Sequence, residues 1–258
     1  MTEFLKNNIS FFKGKSIRVI ALLLLIFLFS TCKKDHMMDC FTSTGKEISE
    51  YRTAGWFSHV NMKDHVDLVI RKTSGHYIKV TAGSHLIDGI ITELDNGTLY
   101  IRNENKCNWV RSFKNKYTVE IGVDSLQTIS TYGNGSISCP DSLTAYEFTF
   151  DSWNASGSID LLLNCERSHL NNNTGRIDMR ASGKAGVSYI AFNDVATLDA
   201  GKLISDAIYM RNNSTGDIRV CAKSELNVEI RYTGNIYYTG NPLRIHEDIT
   251  GSGRLIPY

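Results

Sequence analysis

The sequence predicts an all-β protein whose larger part is a right-handed parallel β-helix, a single-stranded β-solenoid. Three observations predict it. A Gly-x-Ile/Leu motif recurs from Gly135 to Leu255 at a step of about 20 residues, within the range of solenoid repeats. Apolar and polar residues alternate on either side of each motif, as a half-buried strand requires. No stretch of useful length carries apolar residues at the helical period.

The chain opens with Lys6, Lys13, Lys15 and Arg18, then an uncharged apolar run over residues 19–29, then Ser30-Thr31-Cys32. A basic region, a short apolar core and small residues form a secretory signal. The apolar run is shorter than the ~20 residues a spanning helix needs. The Cys directly after the small residues looks like a lipobox, although Thr31 stands where Gly, Ala or Ser is usual. Residues 1–31 are therefore read as a lipoprotein signal peptide. Cys32 becomes the lipidated, palmitate-bearing first residue and makes the membrane a partner. The alternative is an uncleaved anchor helix. Both readings place the remainder outside the cytoplasm, in the cell envelope, as an outer-membrane lipoprotein facing the periplasm or the cell surface.

Residues 32–50 are polar and aperiodic and read as a tether. Residues 51–258 are read as the folded β domain, in a chain long enough for one sizeable domain or two small ones. A net charge of +1 argues against a nucleic-acid partner. Three prolines exclude a Pro-rich stalk. Cys40, Cys107, Cys139, Cys165 and Cys221 are odd in number and match no zinc spacing, so no bridge is predicted. Cys139 and Cys165 fit as small buried residues.

Within residues 51–130 the strand signature appears at 65–70, 77–80, 98–101 and 117–121, with Asn96-Gly97 as a turn. Residues 131–258 hold the rungs. Their motif residues are Ile137, Ile159, Ile177, Leu198, Ile218, Ile236 and Leu255, with Ala196-Thr197-Leu198 lacking the glycine. With these pointing inward, the residues two further on point inward too: Cys139, Leu161, Met179, Ala200, Val220, Tyr238 and Pro257. None is charged. A second apolar strand per turn runs through Phe148/Phe150, Leu170, Tyr189, Ile208/Met210, Val228/Ile230 and Ile249. Each glycine is read as a corner where the backbone bends tightly. The right-handed sense follows from the general preference of parallel β crossovers.

The repeated Ser/Thr-Gly-x-Ile motif resembles the putative auto-transporter adhesin, head GIN domain family, common in lipoproteins of Bacteroidota. So does the ending Tyr238-Thr239-Gly240-Asn241-Pro242 with Thr250-Gly251-Ser252-Gly253-Arg254-Leu255. The resemblance covers residues 56–258. It implies a single-stranded right-handed β-helix and supplies no catalytic residues.

Asp160, Asp178 and Asp199 are expected at one outward position of three consecutive rungs. Such a column is either a Ca²⁺ site or a solvated face with Arg176 and Arg219 as counter-charges, the reading preferred. Trp109, Arg111 and Phe113 either stack on a glycan or cap the first rung, again the preferred reading. Tyr237 and Ile256 point outward, where a partner subunit or the folded-back tail would cover them, unless they are simply scattered exposed apolar residues. No nucleophile elbow occurs and the seven histidines form no ligand pair. The prediction is a non-enzymatic surface binding or adhesion module without cofactor or bound metal. Its partners are the membrane and a surface glycan or protein, with homo-oligomers allowed. The alternatives are a structural envelope component and a polysaccharide-degrading β-helix enzyme.

Overall fold

Alternating sequence becomes strand along most of the described residues. The computed structural model describes residues 43–105 and 116–258, all within one compact unit. Cys32 lies outside these residues, as do Trp109, Arg111 and Phe113. The first eight strands are β1 (Glu47–Arg52), β2 (His59–Asp64), β3 (Asp67–Lys72), β4 (Tyr77–Gly83), β5 (Ile90–Asp95), β6 (Thr98–Asn103), β7 (Thr118–Val123) and β8 (Thr128–Gly133). A single 3-10 turn, Ile87–Gly89, precedes β5. The expected polar tether therefore ends sooner than read: its last four residues, 47–50, lie in β1, which pairs antiparallel with β4.

These eight strands pair across long stretches of sequence. β2 runs parallel to β6 on one side and β8 on the other. β3 runs parallel to β7, and its Leu68 and Val69 meet the first two residues of the next strand, Ile137 and Ser138. β4 is antiparallel to β7. β5 and β6 form a hairpin about Asn96-Gly97, where both residues have positive φ (47° and 74°), as a type I′ turn needs.

From residue 137 on, pairing becomes local and parallel. β9 (Ile137–Ser152), β10 (Ala155–Asn172), β11 (Gly175–Asp194), β12 (Thr197–Ser214) and β13 (Ile218–Ile230) stack in order. Each is one extended run containing both strand segments expected of a turn. The register shifts within the runs, between Leu161/Leu163, Arg180/Ser182 and Ala200/Ile204. Such an irregularity bends a strand without ending it. The last turns divide into β14 (Ile236–Thr239), β15 (Arg244–Ile249) and β16 (Leu255–Pro257).

The inner column is Ile137, Ile159, Met179, Leu198, Ile218, Ile236 and Leu255. Met179, not Ile177, occupies the third position; Ile177 lies beside Gly157. The motif was thus aligned two residues out of phase at that turn. Because the strand period is two, the slip left every inward assignment there intact, and both Ile177 and Met179 are buried. Tyr189 is a true correction. It faces outward, while Ile190 and Phe192 beside it are buried.

Two of the motif glycines, Gly157 and Gly175, have the positive φ (143° and 104°) that a tight bend favours, but others serve a different purpose. Gly216, Gly234 and Gly253 have no positive φ. A Cβ on Gly234 would lie 2.1 Å from the Gly216 carbonyl oxygen, and one on Gly253 would lie 2.2 Å from that of Gly234. They form a column where one turn's backbone rests against the next, and close approach excludes a side chain.

Several polar groups inside the stack pair with one another or with backbone, which offsets the cost of burying them. The buried hydroxyls of Ser168, Ser188 and Ser205 join in a chain of 2.8 and 2.7 Å bonds. The buried amides of Asn172 and Asn212 donate to the Asn193 and Gly234 carbonyls at 2.7 and 3.1 Å.

Candidate functional site: the outer faces of the stack

Each turn presents outward-facing residues on two stretches, one before and one after its bend. On the first, the column runs Asp160, Arg180, Asp199, Arg219, Tyr237 and Ile256. Charges alternate over its first four members. Asp178 is not among them: it stands beside Ser158 and Thr197, and accepts a 2.8 Å bond from the Thr197 hydroxyl. The expected column of three carboxylates does not form: with Met179 rather than Ile177 in the inner column, Arg180 and not Asp178 stands between Asp160 and Asp199. Opposite charges on neighbouring strands attract where the expected carboxylates would have repelled. A shallow depression of 760 Å³ covers this face, lined by Asp160, Asp178, Arg180, Asp199, Asp217 and Arg219. No cluster of three or more His, Cys, Asp or Glu among the described residues is arranged to hold a metal ion.

The column ends on aromatic rings. Arg219 lies over the Tyr237 ring at 5.4 Å, and Tyr258 meets Tyr237 edge-on at 6.1 Å. The chain's own tail thus covers the outward Tyr237. A 3.1 Å bond from the Tyr258 amide to the Tyr238 carbonyl holds it there.

The second stretch carries a feature absent from the sequence reading. His169, Tyr189 and Tyr209 are neighbours on β10, β11 and β12. Their rings stack: His169 to Tyr189 at 4.8 Å and 12°, Tyr189 to Tyr209 at 5.7 Å and 18°. The signal was present as aromatic residues at 169, 189 and 209, one per turn. Counting Tyr189 as an inward apolar residue hid it.

The ladder ends at Tyr209, whose neighbour on β13 is Asn227. Its hydroxyl donates to Glu225 Oε1 at 3.0 Å, and Arg244 holds Glu225 at 2.6 Å. The Arg244 bond, then the Tyr209 bond, keeps the Glu225 carboxyl below its usual range; bonding to that carboxylate raises the Tyr209 hydroxyl. Nearby, Arg231 bridges Glu229 and Asp248 at 3.1 and 2.6 Å. Arg211 and Asn227 have no such side-chain partners. A 440 Å³ hollow lies here, lined by Asn171, Tyr189, Ala191, Tyr209, Arg211, Asn227 and Glu229.

The described cysteines are free thiols. Burial pushes Cys139 up to about 12 and Cys165 up to about 11, so both stay protonated and unreactive at neutral pH.

The family model described as putative auto-transporter adhesin, head GIN domain, matches residues 56–242. The chain belongs to this head GIN domain family. Solved structures share its fold. A putative adhesin from Bacteroides fragilis is 21% identical with a TM-score of 0.77, over 83% of this chain and 97% of that one. A putative adhesin from Parabacteroides merdae is 14% identical with a TM-score of 0.62, over 84% and 98%. A putative lipid binding protein from Parabacteroides distasonis is 17% identical with a TM-score of 0.61, again over 84% and 98%. No protein of curated function matches the sequence. A head GIN domain is thus carried on a β-solenoid, and the family points to binding or adhesion at the cell surface or envelope.

Proposed function

We propose that this head GIN domain protein is a non-enzymatic binding module, anchored in the bacterial outer membrane through lipidated Cys32. Its ligand is a surface glycan or protein. The observation that carries this reading is the outer aspect of the stack. It presents fixed polar and aromatic side chains on a rigid sheet, with charges set in alternating order rather than gathered about a reacting centre. The basic-apolar-Cys leader supports export and lipidation.

Two measurements test it. Labelled palmitate should enter the wild-type chain and be lost from Cys32→Ser. Protease applied to intact cells should remove the domain, whereas full protection, with the same protease cutting it in a cell extract, overturns the surface reading.

A second reading, a structural component that self-associates, draws on the terminal strand. All six residues of β15 are exposed, and Leu243 before them is 87% exposed. An uncovered strand edge is a template for pairing. Concentration-dependent sedimentation without any ligand would favour that reading.

A further inference from the structure

The hollow beside Tyr209 is built differently from the rest of the outer surface. Tyr189 has a ring on each side, while His169, at the opposite end of the ladder, has one ring neighbour and places its Nε2 2.9 Å from Glu147. Tyr209 is stacked on one side alone. Tyr189 covers one face, and the other turns toward the rung of Asn227, whose short side chain leaves it uncovered. Tyr209 is 38% exposed, yet it is not loose: Glu225 fixes its hydroxyl and Arg244 fixes Glu225. An exposed aromatic ring, held flat and open on one face, is pre-organised for a stacked ligand.

The surroundings specify the ligand's chemistry. Arg211 and Asn227 line the hollow with donors and an acceptor that no neighbour uses. Ala191 gives it a low side between Asn171 and Arg211. Two arginines, Arg231 and Arg244, hold the three carboxylates nearby, Glu225, Glu229 and Asp248, and Arg211 balances the remaining charge, so no net charge selects an ion. An apolar ring face bordered by uncommitted hydrogen-bonding groups suits a pyranose, which offers C–H bonds on one face and hydroxyls around its rim. The 5.7 Å between the tyrosine rings leaves no room for a guest, since a sandwiched ring needs about 7 Å, two contacts of about 3.5 Å. The sugar therefore sits on the outer face of Tyr209.

We infer that Tyr209, Arg211 and Asn227 form a saccharide subsite, in which one pyranose of a glycan stacks on Tyr209 while Arg211 and Asn227 hydrogen-bond its hydroxyls. This rests on the binding-module reading and narrows it to a ligand class and a place.

The test uses the full-length protein in detergent micelles on an array of neutral and uronate-containing oligosaccharides, then titration of the best-bound one. Tyr209→Ala should weaken binding by about tenfold or more, the loss expected of a central aromatic contact. Asn227→Tyr provides a second route that keeps every ladder residue. It adds a ring over the open face, and should abolish binding without lowering the melting temperature. Tyr146→Ala, at a tyrosine 67% exposed elsewhere, should bind as wild type. If Tyr209→Ala and Asn227→Tyr both retain wild-type affinity for the bound glycan, the subsite is overturned and the binding-module reading stands. If the wild type binds no oligosaccharide but binds immobilised matrix proteins, the subsite is again overturned alone. If it binds neither, both readings fall.

Discussion

The two halves of the molecule reach the same parallel stack by opposite routes. In β9 to β16 each residue meets a partner about 20 positions away, turn upon turn, as solenoid logic requires. In β1 to β8 the partners are remote: Asp67 meets Thr118, His59 meets Thr128, and antiparallel strands are mixed with parallel ones. The two regions share a joint. β3 touches Ile137 and Ser138 at the start of β9, and β8 lies along its far end, with Ile129 beside Phe150. A repeat is therefore one way to build a stacked core, and strands gathered from a distance can build its first layers equally well.

The largest expected effect tests that joint. Phe150 is fully buried between Ile129 and Leu170. Phe150→Ala should cost about 3–5 kcal/mol of stability, read by denaturant melts. Hydrogen exchange should then accelerate in β2 and β8 as well as in β9 and β10. Acceleration confined to β9 and β10 would show that the halves unfold separately, and would break the picture of one continuous core.

A smaller effect is expected on the outer column of the repeat half. Arg180→Asp would create the run of three carboxylates that the native register avoids. It should lower stability by about 1 kcal/mol or less, given the exposure of the site, with the deficit shrinking as salt rises. Millimolar Ca²⁺ should restore the variant and leave the wild type unchanged, as followed by thermal melts. Restoration of both proteins by Ca²⁺ would mean a cation site outside this column.

The smallest effect concerns Cys139 and Cys165, both inward residues of the stack. Their thiols ionise near 9.0 in the unfolded chain but at about 12 and about 11 when folded. Folding thus favours the protonated form. The associated stability is complete below pH 9 and declines as the pH climbs toward the folded values. At pH 8, alkylation followed by peptide mapping should mark the half-buried Cys221 well before either buried thiol. Equal labelling would indicate that the stack opens readily.

How much of this could be read from the sequence follows the same division. In residues 131–258 the fold was legible, because period two and a step of about 20 act together on neighbouring turns. Even there, a glycine-led motif could not distinguish Ile177 from Met179 as the stacked residue, since both face inward. That ambiguity is harmless for the core but decisive outside it: it put Asp178 in a column that belongs to Arg180. In residues 51–130 single strands were legible and their partners were not, because no local pattern tells β3 that it will lie beside β7. The aromatic ladder was missed for a third reason. Tyrosine is apolar enough to pass as core, and its outward direction appears only when Ser188 and Ile190 claim the inward positions on either side.

The remote pairing of β3 also sets a timetable. On the export proposed above, a chain threaded N-terminus first presents Lys72 about 45 residues before Thr118. Throughout that interval the apolar Leu68 and Ile70 have no parallel neighbour to lie against. Each later turn waits for only about 20 residues and finds a finished template below it. A chaperone that holds newly exported chains would therefore be needed most while the first strands await their partners, and least once the repeat begins.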